Sequence, residues 1–280
     1  MNTAKIYSEF CEYVEKHYTS VNTQRAYIRD VGHFLDETTT FDEDHINLFI
    51  FKLYKKGLTN RSIRRKLSSI SLFLNFLKKN ALIEKNPLEL MEKPKTDKNL
   101  PKFLDVDDVV RLLEKIDNKR DRALIELIYS SSLRANEAVS LNVEDVDFEH
   151  LRVRVKRKGD KVAYVPITNR AKTYLEEYVD KRKNGALFLN RYNKRLSTRS
   201  LQKIVKKYAM QSIFKDISPH TLRHSKATHL LNSGMDIRLL QRFLGHSSIR
   251  ATQIYTHLNL TQLAKTYDKT HPLAKNNNEK

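Results

Sequence analysis

The sequence predicts a mainly α-helical protein with a small antiparallel β-sheet, arranged as two domains. Three observations predict it. Apolar residues recur every three or four positions through residues 1–83, with no alternating stretch among them. The period drops to two over residues 144–166. Between these regimes, residues 85–102 hold three of the six prolines and five lysines, the composition of an exposed linker. The expected division is a helical domain at 1–84, a linker at 85–102 and an α+β domain at 103–280.

In the first domain, Ile6, Phe10, Tyr13 and Val14 mark a helix that Thr19-Ser20-Val21-Asn22 breaks. Asn22 or Thr23 is placed to cap the next helix, whose stripe is Tyr27, Val31, Phe34 and Leu35. A third helix covers 46–54 after an acidic start, and Gly57 punctuates it. Thr59 or Asn60 then opens a long helix with Ile63, Leu67, Ile70, Leu74 and Leu77 on one face. Residues 45–83 contain nine Lys and Arg and no acid, with Arg61, Arg64, Arg65 and Lys66 crowding the start of the long helix. A solvated surface mixes its signs. This one does not, which predicts a phosphate-contacting face.

In the second domain, 105–116 is amphipathic, with Val109, Leu112 and Leu113 inward, and 121–130 is a core helix. Val146 and Phe148, then Leu151, Val153 and Val155, then Val162, Tyr164 and Pro166 alternate as strands do, with Lys158-Gly159-Asp160-Lys161 as the turn between the last two. Residues 170–179 form another helix. Residues 181–207 hold ten Lys and Arg with no acid, and Arg199, Lys203, Lys206 and Lys207 recur at helical spacing opposite Leu201, Ile204 and Val205. This is a second candidate nucleic-acid face. Ser218 precedes Pro219 as a cap.

Composition narrows the function. A chain of 280 residues, 40% apolar and 30% charged, can build two cores and is not a disordered polyelectrolyte. It contains no run of roughly 18 apolar residues and so no membrane span. The start, MNTAKIYSEF, lacks a secretory pattern, and Cys11 is the only cysteine, which excludes an internal disulfide or a cysteine-based metal cluster. A reducing cytoplasm fits these features. The 52 Lys and Arg against 33 Asp and Glu give a net charge of +19, which implies a polyanionic partner, by default nucleic acid. An anionic membrane surface fits less well, since no basic amphipathic helix stands apart as an anchor.

The chemistry concentrates in 220–257, HTLRHSKATHLLNSGMDIRLLQRFLGHSSIRATQIYTH. His220 and Arg223 share a face if helical. Gly245-His246 follows, and Tyr255 lies nine residues beyond His246. A guanidinium matches phosphate oxygens bidentately, an imidazole donates to an oxyanion or moves a proton, and a phenol oxygen can be a covalent nucleophile. No nucleophile elbow, Walker loop or zinc-ligand spacing competes with this set. No metal or other cofactor is therefore expected.

The segment resembles the C-terminal signature of the tyrosine recombinases, the family of phage integrases, Cre-like enzymes and Xer recombinases. The pieces that carry the resemblance are His220-Thr221-Leu222-Arg223-His224, Leu244-Gly245-His246-Ser247 and Thr252-Gln253-Ile254-Tyr255-Thr256. Upstream, Arg134-Ala135-Asn136-Glu137 resembles the family's Arg-x-x-Glu, so Arg134 maps to the first catalytic arginine and Glu137 to its supporting acid. Ser132 stands where relatives commonly carry glycine; a left-handed backbone there would strain the serine. Lys158 aligns with the family's hairpin lysine, with Lys156, Arg157 and Lys161 as neighbours that compete for the assignment. Lys226 stands where many relatives carry an aromatic. Asn22-Thr23-Gln24-Arg25-Ala26-Tyr27 resembles the core-binding domain, and His271-Pro272-Leu273-Ala274 the tail of Xer-type members.

The resemblance implies a C-shaped clamp on duplex DNA and site-specific recombination through a 3′-phosphotyrosine. Tyr255 would be the nucleophile, Arg134, Arg223 and His246 the holders of the nonbridging oxygens, Lys158 the general acid, and His220 a proton acceptor or donor. Arg61, Arg64, Arg65, Arg199 and Lys203 would contact DNA. It implies a monomer when free and a homotetramer or paired recombinase on the recombination site. The tail from about 258 would be exchanged between protomers, and a septal DNA translocase (FtsK-like) would be a partner. Length leaves room for two clamp domains without an arm-binding domain, which with the Pro272 tail favours nucleoid-associated resolution of chromosome or plasmid dimers. An integrase or resolvase of a mobile element, a monomeric nicking and rejoining relaxase, and a non-catalytic DNA-binding protein on the same scaffold are the alternatives.

Overall fold

The computed structural model describes residues 3–95, 103–157 and 161–245. The chain divides into two compact units, Met1–Asn99 and Leu100–Lys280. Among the described residues there are eleven α-helices and one three-stranded antiparallel sheet.

The first unit is all helical: α1 (Thr3–His17), α2 (Val21–Leu35), α3 (Glu43–Lys55) and α4 (Asn60–Lys79). The stripes face one core. Ile6, Phe10 and Val14 meet Val31, Phe34, Ile46, Phe49 and Leu53 around the long face of α4, from Ile63 to Leu77. Phe10 and Phe73 pack edge to face at 5.1 Å. Asp42 and Thr59 cap α3 and α4. The cap of α2 differs from expectation: Ser20, not Asn22 or Thr23, accepts the Thr23 N–H at 3.4 Å. Cap-competent side chains run 19–23 with one break, and composition alone does not choose among them.

The acid Asp30 is fully buried on α2 and faces α4. Arg65 grips it with both terminal nitrogens, and Lys66 Nζ and Ser69 Oγ each donate to it at 3.0 Å. Burial pushes this carboxyl up, but the hydrogen bonds and charges of Arg65 and Lys66 outweigh it and hold the pKa below the ordinary carboxylate value. Part of the stretch expected to be linker also belongs here. Asn86 caps a short 3-10 turn at Pro87–Glu89, and Leu88, 2% exposed, joins this core.

The second unit contains α5 (Val106–Glu114), α6 (Lys119–Ser131), α7 (Ala135–Ser140), β1 (Val146–Asp147), β2 (Arg152–Lys156), β3 (Val162–Pro166), α8 (Asn169–Val179), α9 (Thr198–Ser212), α10 (Pro219–Asn232) and α11 (Ile237–Leu244). Its core runs from Leu104 to Leu222, and α6, buried from Ala123 to Ile128, belongs to it. The sheet order is β1-β2-β3, with Val153 opposite Val165 and Val155 opposite Ala163.

That register settles which face of β3 is inward. Val165 is buried, while Val162 and Tyr164 are exposed, and Tyr164 stacks under the Arg152 guanidinium at 4.6 Å. The run VAYVP is apolar on both faces, so its period does not fix its orientation; pairing with β2 does. At the entry to this unit, Leu104 is buried and its amide donates to Ser225 Oγ at 2.8 Å. Its carbonyl lies 2.8 Å from His229 Nε2, so both partners are on α10.

Candidate active site

α6 ends at Ser132 in the left-handed conformation, φ 51° and ψ 35°. A serine there meets steric resistance that glycine would not. Its side chain is buried, and its hydroxyl has no hydrogen-bond partner among the described residues. The tight turn puts Arg134 at the start of α7 and Glu137 in its first turn. Glu137 Oε2 accepts the Arg134 amide at 2.8 Å, and Oε1 accepts Arg134 Nη1 at 2.8 Å. The Glu137 side chain is 8% exposed, and Oε2 also lies 3.9 Å from Arg223 Nη1. One buried carboxylate thus holds two guanidiniums.

Ser218 caps α10, and Pro219 occupies its first turn, which fixes the phase of the helix. His220 and Arg223 consequently share a face. Arg223 is 6% exposed and donates to the Ser132 carbonyl and, at 2.6 Å, to the Leu244 carbonyl. The Leu244 carbonyl belongs to the C-terminal end of α11, where Gly245 (φ 61°) closes the helix. Arg134 Nη2 reaches the Gly245 carbonyl at 3.5 Å, and Arg157 Nη2 reaches the Phe243 carbonyl at 3.3 Å.

An open cavity of about 870 Å³ lies over this arrangement, lined by Arg134, Glu137, Lys156, Arg157, Lys161, His220 and Gly245. α9 contributes Thr198 and Gln202. His220 is exposed at the rim. Desolvation by the atoms packed around it, then the charges of Arg223 and Arg134, hold its imidazole below the ordinary value. Burial, then His220 and Arg223, lower His224 in the same way. The pocket is a positive cup around one acid, suited to an oxyanion with several nonbridging oxygens.

Of the residues singled out in the sequence, Arg134, Glu137 and His220 line this cup, and the buried Arg223 meets the Glu137 carboxylate at 3.9 Å. Lys156, Arg157 and Lys161, the competitors of Lys158, line it as well. Lys158, His246, Tyr255 and the tail from 258 lie outside the described residues. Arg199 and Lys203 are exposed on α9, each beside a residue that lines the cavity, and Arg61 and Arg64 are exposed on α4. Arg65 is also exposed on α4, and its guanidinium pairs with the buried Asp30. Lys226 places its Nζ 5.2 Å over the Tyr129 ring, and burial lowers its pKa. Sequence reasoning missed Asp30, an isolated acid whose partners lie 35–39 residues away. Among the described residues no group of three or more His, Cys, Asp or Glu is placed to hold a metal, and no helix is long and apolar enough to cross a membrane.

Residues 102–262 match the Phage integrase family, and residues 8–81 match the phage integrase N-terminal SAM-like domain. The chain is 38% identical over 277 residues to tyrosine recombinase XerC of Thermodesulfovibrio yellowstonii, covering 91% of this chain and 92% of that one. It is 39% identical over 278 residues to tyrosine recombinase XerD of Oceanobacillus iheyensis, covering 91% and 94%. Its fold is similar to that of the XerH site-specific recombinase bound to palindromic difH substrate. The TM-score is 0.73 at 24% identity, over 94% of this chain and 83% of that one.

Proposed function

The chain belongs to the phage integrase family, the tyrosine recombinases, and from that premise we propose which residues perform its reaction and what it serves. It is a site-specific recombinase that acts on duplex DNA. Tyr255 is proposed as the nucleophile. Its Oη bonds to the scissile phosphorus, the bond from phosphorus to the 5′ oxygen breaks, and the 5′ oxygen leaves with a proton from Lys158. Arg134 and Arg223 hold the nonbridging oxygens, with His246 as a further donor. His220 takes the phenol proton, a role that suits an imidazole kept neutral by its surroundings. Attack by a 5′ hydroxyl of a second strand reverses the step and restores the phosphodiester, so the bond count is unchanged.

One observation carries this assignment. Arg134 and Arg223, 89 residues apart in sequence, are held by the same carboxylate, that of Glu137, which lines one positive cavity. An unperturbed phenol has a pKa near 10, and a site this cationic favours the phenolate that attack requires.

We propose the Xer role, resolution of chromosome or plasmid dimers, in the cytoplasm at the nucleoid. The assembly is a tetramer on DNA, of this chain alone or paired with a second recombinase, and a septal translocase activates it. Exposed Arg61 and Arg64 on one unit and Arg199 and Lys203 on the other supply phosphate contacts. The decisive experiment is Tyr255→Phe with covalent capture of genomic fragments. The unaltered chain is expected to yield 3′-phosphotyrosyl DNA, and the variant to bind DNA without trapping it. An adduct that survives the substitution would overturn the nucleophile. No adduct from the unaltered chain would leave a non-catalytic DNA-binding protein.

A further inference from the structure

We propose that Arg157, at the end of β2, is a third phosphate-gripping guanidinium of this site, distinct from the general acid assigned to the neighbouring lysine. Its position carries the inference. Three consecutive carbonyls at the end of α11 each accept from a different arginine: Phe243 from Arg157 at 3.3 Å, Leu244 from Arg223 at 2.6 Å and Gly245 from Arg134 at 3.5 Å. Consecutive residues are about 3.8 Å apart, so the three forks are gathered within reach of one phosphate. The last turn of a helix carries partial negative charge on its unpaired carbonyls. These carbonyls therefore hold the guanidiniums where an anion would.

The three arginines differ in what else they have. Arg134 is paired with Glu137, and Arg223 has two backbone carbonyls and the edge of the same carboxylate. The Arg157 side chain makes a single hydrogen bond among the described residues, to the Phe243 carbonyl. Its Nε is shielded from solvent with no acceptor, although its side chain lines the cavity. A desolvated guanidinium with unmet donors has the largest demand for an anion in the site. Gly245 accommodates it, because a Cβ there would collide with the Arg157 guanidinium. A guanidinium also stays protonated at any working pH and cannot act as the general acid, which separates its task from that of Lys158.

Arg157 so placed serves the tyrosine chemistry proposed above and depends on it. The test uses the full chain and nicked duplexes carrying a site recovered by covalent capture. One set has the ordinary scissile phosphate. The other has a methylphosphonate, in which a methyl group replaces one nonbridging oxygen and removes the charge. Arg157→Ala is expected to slow adduct formation on the phosphate by on the order of 100-fold. Arg157→Lys should recover part of that loss as a point charge without the fork. On the methylphosphonate, where there is no anionic charge to hold, the alanine variant should match the unaltered chain. Equal rates on the phosphate overturn the proposal. So does an equal slowing on both substrates, which is the mark of a purely structural contact to Phe243. If the alanine variant does not fold, the lysine variant carries the same comparison. Failure of the unaltered chain to form any adduct counts against the Tyr255 chemistry; adduct formation with indifferent Arg157 variants counts against Arg157 alone.

Discussion

Ser132 pays a steric penalty to place a carbonyl. Its left-handed backbone turns the chain between α6 and α7 so that its own oxygen faces Arg223. Ser132→Gly keeps that oxygen, removes the Cβ conflict and deletes a buried hydroxyl without a partner. It should stabilise the protein by about 1 kcal/mol in urea unfolding; an unchanged midpoint would show that the serine is not strained. His220 supplies a pH signature. As acidity rises below the ordinary imidazole value of 6.5, a neutral His220 that accepts the phenol proton is lost only as pH passes its lowered pKa. Adduct formation should therefore fall toward acid in that window. A rate that rises toward acid would instead make His220 a donor in its protonated form. The linkage to stability has the same sign. The unfolded chain takes up these protons first, because His220 and His224 are both depressed in the fold, so stability also declines below about pH 6.5.

At the scale of elements, the DNA face proposed on α4 would set stability against DNA affinity at its junction with α2. Asp30 engages Arg65 and Lys66 beside the exposed Arg61 and Arg64 of the proposed DNA face. Asp30→Asn should cost about 2 kcal/mol. That is below the range for a broken buried pair, because the Arg65 side chain is half exposed and can return to water. The same change should tighten non-specific DNA binding and steepen its salt dependence by about one ion. A variant that loses stability with an unchanged salt slope would remove α4 from the DNA face. Such trade-offs are hidden in the sequence, where Asp30 is one acid in an ordinary amphipathic helix. The helices themselves were legible because their stripes repeat within a few residues, as Ile63 to Leu77 does. Arg134 with Glu137, and His220 with Arg223, were legible because three-residue spacing is local. The meeting of Arg134, Arg157 and Arg223 at the end of α11 was not, since it depends on contacts across 21 to 111 residues. The inward face of β3 was likewise decided by its partner strand.

At the scale of the molecule, the two cores share no residue. One is drawn from Ile6 to Leu88, the other from Leu104 to Leu222. Residues 1–99 made alone should unfold in a single cooperative urea transition; a broad, non-cooperative loss of signal would show that this unit leans on the rest of the chain. The stitch at Leu104 bears on how the second unit begins. Near its first described residue, the second unit has Leu104, whose amide and carbonyl are both fastened to α10, the helix of Arg223. The start of the second unit is therefore pinned to the same helix that presents His220 and Arg223, so a change at Ser225 or His229 acts on both at once.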